Sequence, residues 1–318
     1  MSKKIELSIV IPCYQEEDGI KELVKRVSAA AEKTALPYEL ILVDDGSSDA
    51  TWQCMVGSLA GNSSIRAVKL ARNHGHQLAL SAGLSLVQAE QYVFVLDADL
   101  QDPPELLSGM LETMKNENAD VVYGKRKKRN GETVFKRLTA GAFYRFLRIM
   151  TDIDIPADTG DFRLMKRHVV DTLCSMPEHA RFIRGMVSWI GGRQVPYLYS
   201  RDCRFAGSTK YHLRKMTNFA LDAITSFSIK PLRIGLKLGF LGVFCGSLLL
   251  VYSLCSYFFF KTTAGWTSLI AVVIVMGSLQ LFLLGLIGEY IGRIFVDTQK
   301  RPLFLIKEIR EKEDKNVE

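Results

Sequence analysis

Five short apolar runs mark the first 125 residues, at 7–12, 38–43, 65–70, 92–96 and 120–123, each of strand length. Helix-like stretches fill the gaps, at 17–33, 50–59, 77–88 and 104–116. Ser48 or Asp49 precedes the second of these and Asp102-Pro103 the fourth, both plausible helix starts. Strands alternating with helices of this length predict an α/β fold. Its Rossmann-like sheet would be mostly parallel and covered on both faces.

The second half changes character. Over 133–150, Phe135, Leu138, Ala142, Phe143, Phe146, Leu147 and Met150 recur at three- and four-residue steps, with Arg137, Tyr144 and Arg148 on the other side. Leu213, Met216, Phe219, Ala220, Ala223, Ile224 and Phe227 repeat that pattern over 212–227. Both segments are expected to be helices lying in the headgroup plane of a membrane. Residues 238–260 and 266–288 follow, each a run of 23 without a charge. At ~1.5 Å per residue such a run reaches roughly 34 Å, enough to cross a hydrocarbon core.

The five-residue link 261–265 makes the two spans a hairpin, so both ends of the chain lie on one side. Residues 201–237 carry eight Lys/Arg against two Asp, 293–315 carry seven Lys/Arg, and the link carries one Lys. The excess of positive charge places both termini in the cytoplasm of an inner-membrane protein. Met1-Ser2-Lys3-Lys4 leads into a strand with no signal-peptide core.

The expected layout is a cytoplasmic domain over 1–211, with its first amphipathic helix near 131–150. A second interfacial helix at 212–235, the spans within 236–292 and a cytoplasmic tail over 293–318 complete it. The charged end of that tail, after Leu305, reads as a frayed helix.

The net charge of +7 would suit nucleic acid. The basic residues, however, crowd beside the apolar spans and in the run Lys125-Arg126-Lys127-Lys128-Arg129, where anionic lipid is the better-matched partner. Nucleic acid is therefore not expected. Six cysteines, at 13, 54, 174, 203, 245 and 255, form no Cys-x-x-Cys pair and read as free thiols. Gly239, Gly242, Gly246, Gly277, Gly285 and Gly288 would let helices pack closely between subunits, so a homo-oligomer is expected.

Polar clusters sit where the predicted strands end: Tyr14 to Glu17, Asp44 to Ser47, Arg72 to Gly75 and Asp97 to Asp102. In open α/β sheets ligands bind at those carboxyl ends. The stretch Asp97-Ala98-Asp99-Leu100-Gln101-Asp102-Pro103-Pro104 is the most informative, because Asp97, Asp99 and Gln101 alternate as the backbone leaves the sheet. Hard oxygen ligands there suit Mg²⁺ or Mn²⁺ beside the phosphates of a substrate. The competing reading is a solvated turn, since Asp before Pro is common turn chemistry.

Ser8-Ile9-Val10-Ile11-Pro12 running into Cys13-Tyr14-Gln15-Glu16-Glu17, with Val43-Asp44-Asp45-Gly46-Ser47 and the Asp97-x-Asp99 site, resembles the family 2 glycosyltransferases of GT-A fold. Further blocks are similar to the polyprenyl-phosphate branch of that family. They are Arg72-Asn73-His74-Gly75-His76-Gln77-Leu78-Ala79, Asp158-Thr159-Gly160-Asp161-Phe162-Arg163, Arg204-Phe205-Ala206-Gly207-Ser208-Thr209-Lys210-Tyr211 and the pair of spans. This branch holds dolichyl-phosphate mannose synthases and bactoprenol glucosyltransferases of the GtrB type.

The resemblance implies a set of roles. Asp44 would accept a hydrogen bond from the nucleotide base. Pro12, Tyr14 and Glu16 would flank base and ribose, and Asp45 and Arg72 would line the same pocket. Asp99 and Gln101 would hold the metal with Asp97 close by. Arg204 and Lys210 would bring positive charge to the diphosphate or the acceptor phosphate.

Asp158 is the family-matched candidate for a base. A lipid phosphate with a second pKa of ~6 is already largely a dianion and needs little such help. Arg126, Arg129, Arg137 and Arg163, together with Lys128, would dock that phosphate.

The implied reaction is inverting transfer of a hexose, with glucose from UDP-glucose favoured, to undecaprenyl or another polyprenyl phosphate at the cytoplasmic face. Asp161 stands where mannose synthases tend to carry a small residue, which favours the UDP-sugar branch over a GDP-mannose enzyme. A processive synthase fits less well, for want of a Gln-x-x-Arg-Trp motif. A catalytically silent nucleotide-sugar-binding anchor is the alternative outside enzymes.

Overall fold

A computed structural model describes residues 4–126, 159–200, 228–259 and 265–312. The elements begin β1 (Leu7–Cys13), α1 (Ile20–Glu32), β2 (Tyr38–Asp44), α2 (Thr51–Ser58), β3 (Ile65–Leu70), α3 (His76–Ser85) and β4 (Tyr92–Val95). A 3₁₀ turn, Pro104–Leu106, leads into α4 (Leu107–Asn116) and β5 (Val121–Arg126). β6 (Thr159–Lys166), α5 (Arg167–Ser175), α6 (Ile183–Ile190) and β7 (Gln194–Tyr199) come next. Two long helices, α7 (Lys230–Phe259) and α8 (Trp266–Thr298), precede a last strand, β8 (Ile306–Glu311).

The strands form one sheet in the order β7-β5-β6-β4-β1-β2-β3-β8. Its centre is parallel, as the alternating pattern predicts: β1 lies between β2 and β4, and β2 pairs with β3. Every residue of β1 is buried, because helices cover both faces and a continuous apolar run satisfies both. Gly83 lets α3 lie close on the sheet, since a Cβ there would run into Val10 and Val43. Phe94 of β4 and Phe162 of β6 meet edge to face, with centroids 5.2 Å apart, inside the main core.

The flanks depart from the mostly parallel expectation. β6 runs antiparallel to both β4 and β5, and β7 returns parallel to β5. Asp161 and Arg163 interrupt the apolar pattern of β6 while both are buried, so the strand does not announce itself in sequence. β8 is the second departure, because the segment expected to be a frayed helix pairs antiparallel with β3 instead. An edge strand of sequence Ile-Lys-Glu-Ile-Arg-Glu carries no apolar face, and its backbone pairing decides its conformation.

The described residues fall into two compact units, the sheet with its helices and residues 301–312, and residues 228–300. In the second, α7 and α8 are 30 and 33 residues long, exceeding the expected spans at their charged ends. Pro231 is tolerated because it falls in the first turn of α7, where a backbone N–H has no partner inside the helix. Both helices are long and apolar enough to cross a membrane. Phe240, Phe244, Leu281 and Phe282 project outward as lipid-facing side chains do. The expected interfacial helix over 131–150 lies outside the described residues. So does most of the one over 212–235, of which 230–235 belong to α7.

Candidate active site

The ends of β1, β2 and β3 build one wall. Asp45 N donates to Cys13 O at 2.9 Å as the first two strands finish. Gln15 adopts a left-handed φ of 55° and donates its N–H to Ser47 Oγ at 3.0 Å, while Glu16 N donates to Thr51 Oγ1 at 2.9 Å. Tyr14, 45 % exposed, stands at this rim. Asp44 is fully buried; its Oδ1 accepts from Ser47 N at 2.9 Å, and its Oδ2 has no hydrogen-bond partner among the described residues. Lys69 Nζ is 4.0 Å from that Oδ2, beyond hydrogen-bonding range.

Asp45 has a different task. Its carboxylate accepts from His74 N at 2.7 Å and Gly75 N at 2.9 Å, fixing the turn after β3 that carries exposed Arg72. Burial pushes the Asp45 carboxyl up, against the two N–H groups that favour its charged form. Gly46 makes the turn possible. At φ 67° it lies so close that a Cβ would sit 2.5 Å from the Arg72 carbonyl carbon and 2.6 Å from Asn73 N.

The second wall begins where β4 ends. Leu100, buried with φ 54°, gives the turn a left-handed corner that costs roughly 1–3 kcal/mol in a non-glycine residue. That corner separates Asp99 from Gln101, whose N–H donates to Asp99 Oδ1 at 3.2 Å. Asp97 faces the start of α3, with Oδ1 3.5 Å from His76 Nε2 and no hydrogen-bond partner among the described residues. Burial raises the Asp97 carboxyl to about 6, a rise that His76 opposes and Asp161, Asp102 and Asp99 reinforce.

Asp161 is the hub of this wall. His76 Nε2 lies 3.0 Å and Gln77 Nε2 2.8 Å from its Oδ2, while Arg184 Nε donates to its Oδ1 at 2.9 Å. Burial works against the charge, but Arg184, His76 and Arg163 together hold this carboxyl well below the usual range. Arg163 is itself buried, its Nη2 donating to Gly160 O at 3.2 Å and lying 3.7 Å from Asp161 Oδ1. Donor atoms of His76, Asp97 and Asp161 all lie within 4.8 Å of one another. Two carboxylates, an imidazole and an unsatisfied buried oxygen suit a hard divalent cation such as Mg²⁺ or Mn²⁺.

Asp97, Asp99 and Gln101 thus share the turn expected of them. Pro12, Tyr14, Glu16, Asp44, Asp45 and Arg72 gather at neighbouring strand ends. Arg126 lies at the end of β5 beside Asp102 and Tyr199. Asp158, Arg204, Lys210, Arg129 and Arg137 lie outside the described residues. His76, Gln77 and Arg184 were not singled out by sequence. The first two stand inside the Arg72–Ala79 block, whereas Arg184 belongs to no motif and is recruited only by the packing of α6 beside β6.

Comparison with known proteins agrees with this architecture. Residues 8–174 match the model described as glycosyl transferase family 2, and residues 230–294 match the GtrB C-terminal hairpin. The "uncharacterized glycosyltransferase YkcC" of Bacillus subtilis (strain 168) is 44 % identical over 308 residues, covering 96 % of this chain and 95 % of that one. The "bactoprenol glucosyl transferase" of Shigella phage SfV is 34 % identical over 312 residues, 97 % of this chain and 100 % of that one. A "prophage bactoprenol glucosyl transferase homolog" of Escherichia coli (strain K12) is 34 % identical over 310 residues, 96 % of this chain and 100 % of its own.

Proposed function

The chain belongs to glycosyl transferase family 2, and on that premise we propose that it transfers glucose from UDP-glucose, with inversion, to undecaprenyl or another polyprenyl phosphate. The observation that carries this reading is a pair of buried, unsatisfied carboxylate oxygens, Asp44 Oδ2 and Asp97 Oδ1, at the ends of the two strands that flank β1, in a chain with two span-length helices. An unsatisfied buried acceptor costs about 1–3 kcal/mol, so each is poised for a partner brought by substrate or metal. The likeness to bactoprenol glucosyl transferases supports the lipid acceptor and the sugar.

In this proposal Asp44 accepts the base N–H, and Pro12, Tyr14 and Glu16 bound base and ribose. Asp45 serves indirectly, through the turn that presents Arg72 to the donor. Asp97, Asp99 and Gln101 would hold Mg²⁺ or Mn²⁺, with His76 and Asp161 adjoining. Such an ion, when bound, would offset the negative charge of the nucleoside diphosphate. Arg204 and Lys210 add fixed positive charge there, and Asp158 orients the acceptor. Since the phosphate nucleophile is largely dianionic, docking matters more than proton removal. Arg126, Arg129 and Arg137 dock it, while buried Arg163 acts on that region through Asp161. The catalytic unit faces the cytoplasm and the spans assemble a homo-oligomer.

The test is a nanodisc assay with undecaprenyl phosphate, Mg²⁺ or Mn²⁺ and a panel of labelled UDP- and GDP-sugars. A lipid-extractable product from UDP-glucose, lost in Asp99→Ala, is expected. Product from GDP-mannose alone would reassign the donor. Nucleotide binding without product from any donor would favour a silent anchor.

A further inference from the structure

Three segments far apart in the chain meet at one buried point. Asp102, fully buried, closes the Asp97 turn; Tyr199, 3 % exposed, ends β7; Arg126 ends β5. Tyr199 donates its hydroxyl to Asp102 Oδ1 at 2.5 Å, a short charge-assisted hydrogen bond. Arg126, the register partner of Tyr199 on β5, lies beside that hydroxyl, and its charge acts on both Tyr199 and Asp102. Guanidinium has no acceptor, so with the phenol proton given to Asp102 only the lone pairs of the phenol oxygen are left to face Arg126. The polarity of the cluster therefore has one direction, from Arg126 through Tyr199 to Asp102.

Gly160, at the start of β6, completes the seat. A Cβ there would lie 3.2 Å from Arg126 Nη2 and 3.5 Å from Asp102 Oδ2, so the guanidinium rests against bare backbone. Burial, and then the Asp102 charge, push the Tyr199 phenol well above its ordinary value, so it stays protonated at any physiological pH. Arg126 is only half-buried, unlike Asp102 and Tyr199, and its Nε has no hydrogen-bond partner among the described residues. One side of the guanidinium is held and a donor is left over. A bare Lys or Arg on a loop would lose more side-chain entropy on meeting a phosphate than one already fixed.

We infer that Asp102 and Tyr199 are positioning residues that hold the Arg126 guanidinium ready for the phosphate of the acceptor, an inference that rests on the acceptor reading proposed above. A simple structural tether makes a different prediction: it would lower stability without singling out one substrate.

The test uses the full chain in nanodiscs, with steady-state kinetics in both substrates. Tyr199→Phe removes one hydroxyl and keeps the ring packed on Phe162, whose centroid is 5.4 Å away. The KM for undecaprenyl phosphate is expected to rise about tenfold, as for loss of one charge-linked hydrogen bond. The KM for the nucleotide sugar and kcat should stay within about twofold. Gly160→Ala should raise the same KM by displacing the guanidinium, with the hydrogen bonds left in place.

Arg126→Met supplies the cross-check, because in that background Tyr199→Phe should add nothing to the lipid KM. An additive effect, a rise in the nucleotide-sugar KM instead, or three unchanged constants would overturn the positioning role while leaving the acceptor reading intact. Wild-type enzyme that glycosylates some other acceptor, and no polyprenyl phosphate, would overturn both.

Discussion

Arg184 Nε donates to Asp161 Oδ1 at 2.9 Å, and this contact joins α6 to a buried carboxylate on the neighbouring strand β6. Arg184→Met would leave Asp161 with Gln77, His76 and Arg163 as remaining partners. The expected loss is about 1–3 kcal/mol, as for a buried acceptor that loses one donor, below the cost of stranding a lone buried charge. Denaturant unfolding in detergent measures it. A change under about 0.5 kcal/mol would mean that the pair contributes little.

Gly46→Ala combines a left-handed φ of 67° with a Cβ driven into the backbone of Arg72 and Asn73. The conformational part alone costs roughly 1–2 kcal/mol, and the clash adds to it. The turn clamped by Asp45 must move, so nucleotide affinity should fall by at least tenfold. Titration calorimetry with UDP reads this directly, and unchanged affinity would show that the turn lies outside the pocket.

Asp97→Asn removes the charge from the half-buried carboxylate beside His76. If the cation is held here, turnover should fall by two orders of magnitude or more, the scale of several kcal/mol of charge stabilisation. Chelation of the wild type should have the same effect and be reversed by added Mn²⁺ or Mg²⁺. Full activity after exhaustive chelation is the outcome that would sink the metal assignment.

Truncation after Lys300 deletes β8 and exposes the edge of β3. It removes the hydrogen bond from Ala71 N to Leu305 O at 2.8 Å and the ion pair of Glu311 with Arg66, which also lies 3.5 Å from buried Glu39. Lower thermal stability and a tendency to associate through the bared edge are expected. Size-exclusion chromatography and limited proteolysis of the detergent-solubilised protein test this. A truncated protein as stable and monodisperse as its parent would show that β8 is dispensable.

The central strands were legible because each is apolar on both faces and bounded by turn chemistry, as in 7–12 and 92–96. The apolar helices were legible for the same reason, a long uninterrupted run. β6 and β8 were not. In β6, buried Asp161 and Arg163 neutralise one another only after α3 and α6 have packed against them. In β8 only Ile306 and Ile309 favour a strand, they fall on opposite faces among Lys, Glu and Arg, and the partner β3 lies more than two hundred positions away in sequence.

Residue identity alone determined which groups end the parallel strands, since Asp44, Arg72, Asp97 and Asp99 follow their apolar runs directly and strand direction carries them to one edge. Tertiary structure alone decided what each group does there. Asp45 bonds its own scaffold, Arg163 is buried against Asp161, and Arg184 and Tyr199 join the site from elements without a motif. The physical reason is range. Apolar periodicity acts over a few residues and is written locally, whereas a buried charge is satisfied by whichever partner the fold brings within about 3 Å.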